Sequence, residues 1–188
     1  MTKVFMGVSI KNPFYAKEEN ILRAINLAKD FDEFLIFVVD FPYRLSLQAF
    51  KNSTAEEAQR NVLKEGAELK RFLINKTKQF KNVKINSWNE LIDENYCRLL
   101  LEIQDLEKND KKFSQLVEGE FTGTVISKLG QDFEKKRLSK DFIMEEIAIF
   151  SSLAVKGFSK RISKYPKSKS VDYFLKRKNI YLDHIQIN

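Results

Sequence analysis

Short apolar segments alternate with amphipathic ones through the first half of the chain, and this alternation restricts the fold more than any other feature. Residues 4–8 and 34–39 are apolar runs of strand length, and residues 83–88 form a weaker one. Between them, the periodicity predicts amphipathic helices at about 17–29 and 54–78. Strands that alternate with helices of this kind form βαβ units and a mainly parallel sheet. The pattern therefore predicts an α/β fold.

The second half of the chain is predicted to be mostly helical. Helical segments are indicated at about 90–107, from Lys111 onward, at about 139–155 and near 171–177. Residues 180–187 have the pattern of a last strand. No glycine- or proline-rich linker and no repeat divides the 188 residues, a length typical of one domain. We therefore expect residues 1–188 to form a single Rossmann-like domain, with a mainly parallel sheet flanked by helices.

The composition predicts a cytoplasmic protein with a polyanionic partner. The sequence contains neither an apolar stretch of about 18 residues nor a signal-peptide core, so a membrane partner is not expected. Its one cysteine, Cys97, cannot form an intrachain disulfide and fits a reducing compartment. Because Cys97 lies in the apolar run 96–101, we expect a buried, unreactive thiol. The net charge of +7 and the pI near 9.3 favour a polyanion as partner.

The histidine content restricts the chemistry. His184 is the only histidine and lies in the predicted last strand. A Ser-His-Asp triad would have to use it, and most zinc sites need more ligands than His184 and Cys97 supply. We therefore interpret His184 as structural and expect a chemistry that works largely without histidine or metal.

Residues 7–15 contain a candidate nucleophile. Ser9 follows the first apolar run, and in open α/β sheets ligands bind beyond the carboxyl ends of the strands. Gly7 beside it would let a ligand approach the backbone closely. Ser9 is therefore either a nucleophile or an ordinary turn serine, and this segment alone does not decide between the two.

The predicted helix 54–78 carries a stripe of basic residues. Its start is marked by a capping box formed by Ser53 or Thr54 with Glu56 or Glu57. On a helical projection one narrow stripe contains Arg60, Lys64, Arg71 and Lys78, and the opposite side carries Val62, Leu69 and Leu73. Such a stripe is either a solvated face or a surface that follows a phosphate backbone. Its single charge sign favours nucleic acid.

The predicted helix 139–155 has a carboxylate on its apolar face. Phe142, Glu146, Ile149 and Leu153 share one face of this helix. Because burying a charge alone is costly, Glu146 is either paired in the core or lines a pocket, and the pocket is favoured. There it could hold an ammonium group or move its proton.

Residues 167–170, Lys-Ser-Lys-Ser, resemble the second signature loop of class I aminoacyl-tRNA synthetases. The other half of that signature, His-x-Gly-His after the first strand, is missing. The sequence also lacks the G-x-x-x-x-G-K-[ST] loop and the G-x-G-x-x-G fingerprint. ATP-dependent activation of an amino acid is therefore not predicted.

Taken together, these residues resemble the cyclodipeptide synthases over nearly the whole chain. Gly7-Val8-Ser9, with Asn12 and the aromatic pair Phe14-Tyr15, is similar to the nucleophile segment of that family. Glu146 is similar to its helix glutamate, and Tyr165 follows at about the family's interval. Lys70-Arg71 falls where the family has a basic doublet on its tRNA-binding helix. The specificity of the resemblance comes from the order and spacing of these short motifs.

The resemblance implies a fold similar to the catalytic domains of class I tyrosyl- and tryptophanyl-tRNA synthetases, without ATP, cofactor or metal. It implies two aminoacyl-tRNAs as substrates and a 2,5-diketopiperazine as product. Ser9 would form an aminoacyl-enzyme, Glu146 would hold the α-ammonium group, and Tyr165 would assist ring closure. The implied substrate-binding residues are Gly7, Asn12, Phe142 and Pro166, and the implied tRNA-binding residues are Arg60, Lys64, Lys70, Arg71 and Lys78.

Two departures from the family pattern concern the site. Phe142 stands where the family usually has a tyrosine, one turn before the glutamate, so a hydroxyl that would help to hold the substrate amine is missing. Pro166 after Tyr165 is typical of the Tyr-Pro subfamily, whereas Asn12 is typical of the Tyr-His subfamily. The sequence thus leaves open how the serine loop is held.

Two other functions remain as alternatives. A non-catalytic tRNA- or RNA-binding domain of synthetase-like fold would keep the basic stripe, with Ser9 and Glu146 incidental. A serine hydrolase or acyltransferase is disfavoured because the sequence has no G-x-S-x-G elbow and no usable histidine. The amino acids used and the oligomeric state are not predicted.

Overall fold

A computed structural model describes residues 2–10, 12–15, 17–120 and 132–187. The strands are β1 (Lys3–Ser9), β2 (Glu33–Val39), β3 (Val83–Ser87), β4 (Phe158–Ser163) and β5 (Asp183–Gln186). The helices are α1 (Glu18–Ala28), α2 (Tyr43–Lys51), α3 (Ala55–Thr77), α4 (Glu94–Asn109), α5 (Lys111–Gly119), α6 (Phe133–Val155) and α7 (Lys169–Arg177). A 3₁₀ turn, Trp88–Leu91, lies between β3 and α4.

The five strands form one parallel sheet in the order β3-β2-β1-β4-β5. The predicted α/β architecture with a mainly parallel sheet is therefore confirmed. From β1 the chain builds outward to β2 and β3, then returns to place β4 on the other side of β1. This reversal is a topological switch point, where open sheets of this kind bind ligands beyond the carboxyl ends of the strands.

Helices cover both faces of the sheet, which explains why β1 and β2 are continuous apolar runs. On one face α1 and α3 pack against Val4, Met6 and Val8. On the other face α4, α6 and α7 pack against a cluster rich in aromatic rings. There Phe5 of β1 lies 5.7 Å from Phe150 of α6, measured between ring centroids, in a stacked arrangement.

Two elements, α2 and β4, were not predicted from the sequence. β4 reads Phe-Ser-Lys-Arg-Ile-Ser, too polar to resemble an internal strand, yet it pairs with β1 and β5. Its polar residues are accommodated because Lys160 pairs with Asp183 at 3.6 Å and Arg161 faces a cavity. α2 is a short helix of nine residues, below the length at which periodicity is a strong signal.

Several predicted boundaries were wrong. Trp88 does not extend β3, because Ser87 and Glu90 form a capping box around the 3₁₀ turn that buries the indole ring. α4 consequently begins at Glu94 instead of near residue 90. α6 begins at Phe133, well before residue 139, because Asp132 caps it by accepting a hydrogen bond from Lys135 N at 3.1 Å. The last strand is limited to Asp183–Gln186.

The prediction that Cys97 is buried was also wrong, since its side chain is exposed. The run 96–101 is apolar on both sides of α4, but only the face that carries Tyr96, Leu99 and Ile103 packs against the core. Leu101 is likewise exposed. A helix places neighbouring residues on different faces, so an apolar run longer than the buried stripe leaves some members in solvent.

Gly66 allows α3 to pass close to the end of β2. A Cβ atom built on Gly66 would lie 2.2 Å from Oδ2 and 2.6 Å from Cβ of Asp40, a buried residue directly after β2. We expect Gly66→Ala to lower the free energy of unfolding by about 1–3 kcal/mol, as overpacking does. Chemical denaturation would measure this difference.

Gly119→Ala is the matched control for that substitution. Gly119 also lies in a helix, but a Cβ atom there would meet nothing within 4 Å. Alanine should leave stability unchanged or raise it slightly, because it lowers the entropy of the unfolded chain. Equal stability of Gly66→Ala and wild type would show that α3 can move away from Asp40 at no cost.

Candidate functional site

A cavity of about 330 Å³ opens at the carboxyl edge of the sheet, at the switch point beside β1. It is enclosed by the ends of β1, β2 and β4 and by α2, α6 and α7. The lining residues are Ser9, Val39, Ser46, Phe50, Glu120, Ser139, Phe142, Ile143, Glu146, Ile147, Phe150, Arg161, Tyr165, Pro166, Lys167, Ser168, Ser170 and Val171. Ser9, Phe142, Glu146, Tyr165 and Pro166 are thus brought together, whereas Gly7 and Asn12 do not line it.

Ser9 is the last residue of β1 and lies on the sheet face that α6 covers. Side chains alternate along a strand, so Ser9 shares this face with Gly7 and Phe5. Gly7 leaves no room for a larger residue, since an added Cβ atom would lie 3.0 Å from Val39 Cγ2 and 3.1 Å from Phe37 Cζ. The absence of a side chain at Gly7 therefore leaves room for the side chains of Phe37 and Val39 beside Ser9.

Glu146 projects into the cavity from the middle of α6. Burial raises the pKa of its carboxyl from 4.5 to about 7, with Arg161 opposing the rise and Glu120 adding to it. Near neutral pH the group therefore exists in both protonation states. Such a carboxyl can accept a proton from an ammonium group and return it.

A chain of hydrogen bonds connects the loop after Ser9 to Tyr165. The Asn12 side-chain amide donates to the Tyr165 hydroxyl at 2.6 Å, and Asn12 Oδ1 accepts from Phe14 N at 2.9 Å. Nearby, the Tyr15 hydroxyl accepts from Lys164 N at 3.4 Å. Asn12 thus supports the serine loop from outside the cavity by holding it against the segment after β4. Burial and the nearby Glu146 raise the pKa of Tyr165, so its hydroxyl stays protonated at neutral pH.

Arg161 is a cavity residue that the sequence analysis missed. It lies in β4, and its guanidinium carbon sits 4.0 Å from the centroid of the Phe150 ring. Among the residues that the structure describes, it forms neither a hydrogen bond nor an ion pair. Burial lowers its pKa, while Glu146 opposes that change. The only available signal was the position of an arginine between the apolar residues Phe158 and Ile162, shortly before Tyr165.

The Lys-Ser-Lys-Ser segment forms the beginning of α7, and a carboxylate closes it. Ser168 caps the helix by accepting from Val171 N at 3.2 Å. Glu120, which follows α5, accepts hydrogen bonds through Oε1 from Ser168 Oγ at 3.0 Å, Ser170 N at 3.1 Å and Ser170 Oγ at 3.2 Å. The groups that could cradle a phosphate at a helix N-terminus therefore bind Glu120. Lys167 pairs with Asp172 at 2.9 Å.

The basic stripe on α3 faces solvent. Its four predicted members, Arg60, Lys64, Arg71 and Lys78, are exposed, and none forms an ion pair with a described residue. Lys70 differs, since its ammonium group bonds both oxygens of Glu90, at 2.6 and 2.7 Å. The capping box predicted at the start of α3 is formed by Thr54 and Glu57. Val62 and Leu73 are buried on the opposite side, as predicted.

His184 and the other potential ligands do not form a metal site in the described part of the chain. His184 does not line the cavity, and burial lowers its pKa. Over the residues described, no group of three or more histidine, cysteine or acidic side chains could hold a metal ion. Among the helices that the structure describes, none has the length and the apolar character needed to cross a membrane.

The structure of this chain is similar to several solved protein structures. No protein-family model and no curated protein matches the sequence. A cyclodipeptide synthase from Fluoribacter dumoffii superposes with a TM-score of 0.80 at 18% identity, covering 98% of this chain and 89% of that one. The cyclodipeptide synthase from Candidatus Glomeribacter gigasporarum, solved bound to Phe-tRNAPhe, has a TM-score of 0.71 at 15% identity, covering 99% and 87%.

A Mycobacterium tuberculosis protein, described as showing that cyclodipeptide synthetases are related to type I tRNA synthetases, has a TM-score of 0.64 at 17% identity, covering 93% of this chain and 77% of that one. The predicted similarity to synthetase catalytic domains is thereby confirmed at the level of the fold. This chain has the fold of the solved cyclodipeptide synthases.

Proposed function

We propose that residues 1–188 act as a single-domain, tRNA-dependent cyclodipeptide synthase that joins two aminoacyl groups into a 2,5-diketopiperazine. The observation that carries the proposal is the convergence of Ser9, Glu146 and Tyr165 on one cavity at the switch point of the sheet. The fold shared with solved cyclodipeptide synthases supports it. The proposal implies activity in the cytoplasm, where charged tRNAs are made.

In the first step Ser9 acts as the nucleophile. Its Oγ attacks the ester carbonyl of the first aminoacyl-tRNA, the bond to the ribose oxygen breaks, and the proton of Ser9 passes to the departing ribose hydroxyl. The aminoacyl group is then esterified to Ser9. Since the amino acid arrives already activated, neither ATP nor a cofactor is needed, and the enzyme chiefly positions the reactants.

In the following steps Glu146 handles the amine. It binds the α-ammonium group of the aminoacyl-enzyme and accepts a proton from it, a role that its pKa of about 7 supports. The free amine attacks the ester of the second aminoacyl-tRNA, and the second tRNA leaves. The terminal amine of the resulting dipeptidyl group then attacks the Ser9 ester, which closes the ring and releases Ser9.

Tyr165 and its neighbours would orient the groups for ring closure. The Tyr165 hydroxyl, held by Asn12, lies at the cavity beside Pro166 and can donate a hydrogen bond to the reacting ester. Phe142 supplies only apolar surface where the family has a hydroxyl, so Glu146 carries more of the amine binding. Gly7 contributes by making room for the Phe37 and Val39 side chains beside Ser9. Assignment to the Tyr-Pro subfamily stays a prediction that rests on Pro166.

The decisive experiment incubates the purified chain with a mixture of charged tRNAs and searches for diketopiperazines by mass spectrometry. Formation of a cyclodipeptide that requires both charged tRNA and this protein would support the proposal. Tight binding of tRNA with no product, and no acyl group on Ser9, would instead favour a non-catalytic RNA-binding domain. Hydrolysis of the aminoacyl ester alone would favour a hydrolase.

The exposed stripe on α3 is proposed to contact the tRNA backbone. We expect reversal of Arg60, Lys64, Arg71 and Lys78 to Glu to weaken binding of aminoacyl-tRNA while leaving thermal stability nearly unchanged, because the four side chains make no described ion pair. For every phosphate that the variant no longer neutralises, the dependence of log K on log salt should flatten by up to about one unit. Affinity measured against salt concentration would test this.

The control is a fourfold reversal with the same change in net charge on the other face of the sheet. Lys108, Lys111, Lys136 and Lys176 are exposed on α4, α5, α6 and α7. Their reversal should reduce the affinity for aminoacyl-tRNA less than reversal of the α3 stripe does. It should also flatten the dependence of log K on log salt less. If both fourfold variants bind equally well, α3 is not the tRNA site. Reversal of Lys70 alone should mainly break its pair with Glu90.

A further inference from the structure

The two sides of the cavity differ in chemistry. On the β2 side the wall is mainly apolar, formed by Val39 and Phe50, with one hydroxyl from Ser46 of α2. On the β4 side the wall is polar, formed by Glu120, Arg161, Lys167, Ser168 and Ser170. Because β2 and β4 flank β1 on opposite sides, these walls lie on opposite sides of Ser9. The two halves of the cavity therefore suit different side chains.

Arg161 is the deepest cation of the polar half. In the sheet Arg161 lies opposite Phe5 of β1. Phe5 comes four residues before Ser9, so the backbone of Arg161 is about 13 Å from that of Ser9 along the strand direction, at about 3.3 Å per residue. The Arg161 guanidinium group lies over the Phe150 ring, a cation–π contact that favours this position. Its donors have no acceptor among the described residues and face the open space of the cavity, where they can bind an acceptor on a ligand. The floor of this half is thus built to meet an acceptor on a ligand.

Glu120 offers the complementary group. Its Oε1 atom accepts all three hydrogen bonds from the start of α7, which holds the carboxylate in place. The second oxygen, Oε2, accepts none from a described residue. Glu120 and Arg161 both line the cavity, yet no ion pair within 4.0 Å joins them. The Glu120 carboxylate, an acceptor, and the Arg161 guanidinium group, a donor, thus line the same cavity without binding each other.

We propose that the polar half of the cavity binds an aminoacyl group with a primary carboxamide side chain, glutamine or asparagine. Its carbonyl oxygen accepts from Arg161, and its amide nitrogen donates to Glu120. A carboxamide presents both an acceptor and a donor, as this pair requires. The inference rests on the proposed function, because it identifies one of the two amino acids that the synthase would take.

The opposite charges of Arg161 and Glu120 disfavour the other side-chain classes in this half. With the α-ammonium group on Glu146, the charges of Arg161 and Glu120 already compensate one another. A ligand carboxylate would be attracted by Arg161 but repelled by Glu120, and a ligand ammonium would be attracted by Glu120 but repelled by Arg161. Neither satisfies both protein groups, as a carboxamide does. An apolar side chain would leave both protein groups without partners, which a site built for hydrogen bonds rejects strongly.

The test uses stable mimics of the aminoacyl-tRNA end, 3′-aminoacylamino-3′-deoxyadenosines that carry glutamine, glutamate or norleucine. Their affinities for the full chain are measured by calorimetry, which requires no turnover. The glutamine mimic should bind at least about tenfold more tightly than either of the others, the effect expected of a hydrogen bond to a charged group. The same proteins are assayed for diketopiperazines with charged tRNAs.

Two variants separate the two contacts. Arg161→Met should remove the preference for glutamine over norleucine. Glu120→Gln should remove the discrimination against glutamate, because a glutamine there still accepts the hydrogen bonds of α7 but no longer repels a carboxylate. Arg98→Met, on the exposed side of α4, is the matched control for loss of an arginine and should bind as wild type does. If Arg161→Met fails to fold, Glu120→Gln decides.

Equal affinity for the three mimics would overturn the inference, and so would a glutamine preference that survives both substitutions. Diketopiperazines that contain neither glutamine nor asparagine would overturn it while leaving the proposed function intact. If no mimic binds and no diketopiperazine forms, the proposed function fails, and the inference fails with it.

Discussion

Replacement of Ser9 by alanine is expected to lower diketopiperazine formation by at least about a thousandfold, because the nucleophile is removed and the lining of the cavity offers no activated substitute. The fold should not change, since Ser9 ends β1 and only its hydroxyl is lost. Binding of charged tRNA should likewise persist, because the proposed contacts lie on α3. Mass spectrometry of product and tRNA affinity give the two measurements.

Ser46→Ala is the matched control for the loss of a cavity hydroxyl. Ser46 lines the same cavity from α2, on the β2 side, and has no proposed role in the reaction. Its loss should change the rate by less than about tenfold, the effect of one hydrogen bond. Substantial product from Ser9→Ala would rule out the covalent mechanism. An acyl group on Ser9 in the wild-type chain, absent from the variant, would support it directly.

Glu146→Gln is expected to reduce turnover by about ten- to a hundredfold, because glutamine keeps the shape but loses the charge that binds an ammonium group. The wild-type rate should rise with pH as Glu146 ionises around its pKa of about 7, and that rise should disappear in the variant. Rates measured between about pH 6 and pH 8.5 would show the difference.

Stability should change in the opposite direction from activity. The folded-state pKa of Glu146 is raised, so its stabilising effect as a neutral acid is fully present below about pH 4.5 and is lost as pH rises through about 7. Above pH 7 the folded wild-type chain must hold a buried charge that glutamine avoids. Glu146→Gln should therefore melt no lower than wild type at pH 8.

The adjacent glutamate is a control with the reverse behaviour. Glu145 is buried in a two-pronged ion pair with Arg44, at 2.7 and 3.1 Å, away from the cavity lining. Glu145→Gln should lower stability, by about 3–5 kcal/mol if the charge of Arg44 is left unpaired, and should change turnover little. If Glu146→Gln melts far below wild type with unchanged activity, Glu146 is a structural carboxylate.

The sequence by itself determined the elements whose signal is local. The apolar runs of β1 and β2 predict internal strands because both faces of a parallel sheet are covered. The capping box at Thr54 and the separation of basic from apolar residues on α3 are properties of one helix. Glu146 stood out because it interrupts an apolar stripe, and Ser9 because it ends a strand. Each of these observations needs no knowledge of distant residues.

Tertiary structure decided what depends on partners far along the chain. β4 is polar in sequence, and it is a strand because it pairs with β1, about 150 residues away, and because its charged side chains have a cavity or solvent to face. Cys97 is exposed because only one side of α4 meets the core. Lys70 does not belong to the unpaired basic surface of α3 because its ammonium group forms an ion pair with Glu90.

The polar wall of the cavity shows the same dependence on tertiary structure. Glu120, Arg161 and Ser168 are each ordinary in sequence, and their meaning comes from their meeting at one edge of the sheet. A local pattern shows which face a residue occupies, but the free energy of a buried charge depends on the groups that surround it in the folded chain. For that reason the residues that we propose to react could be named from sequence, while the groups that we propose to select a substrate could not.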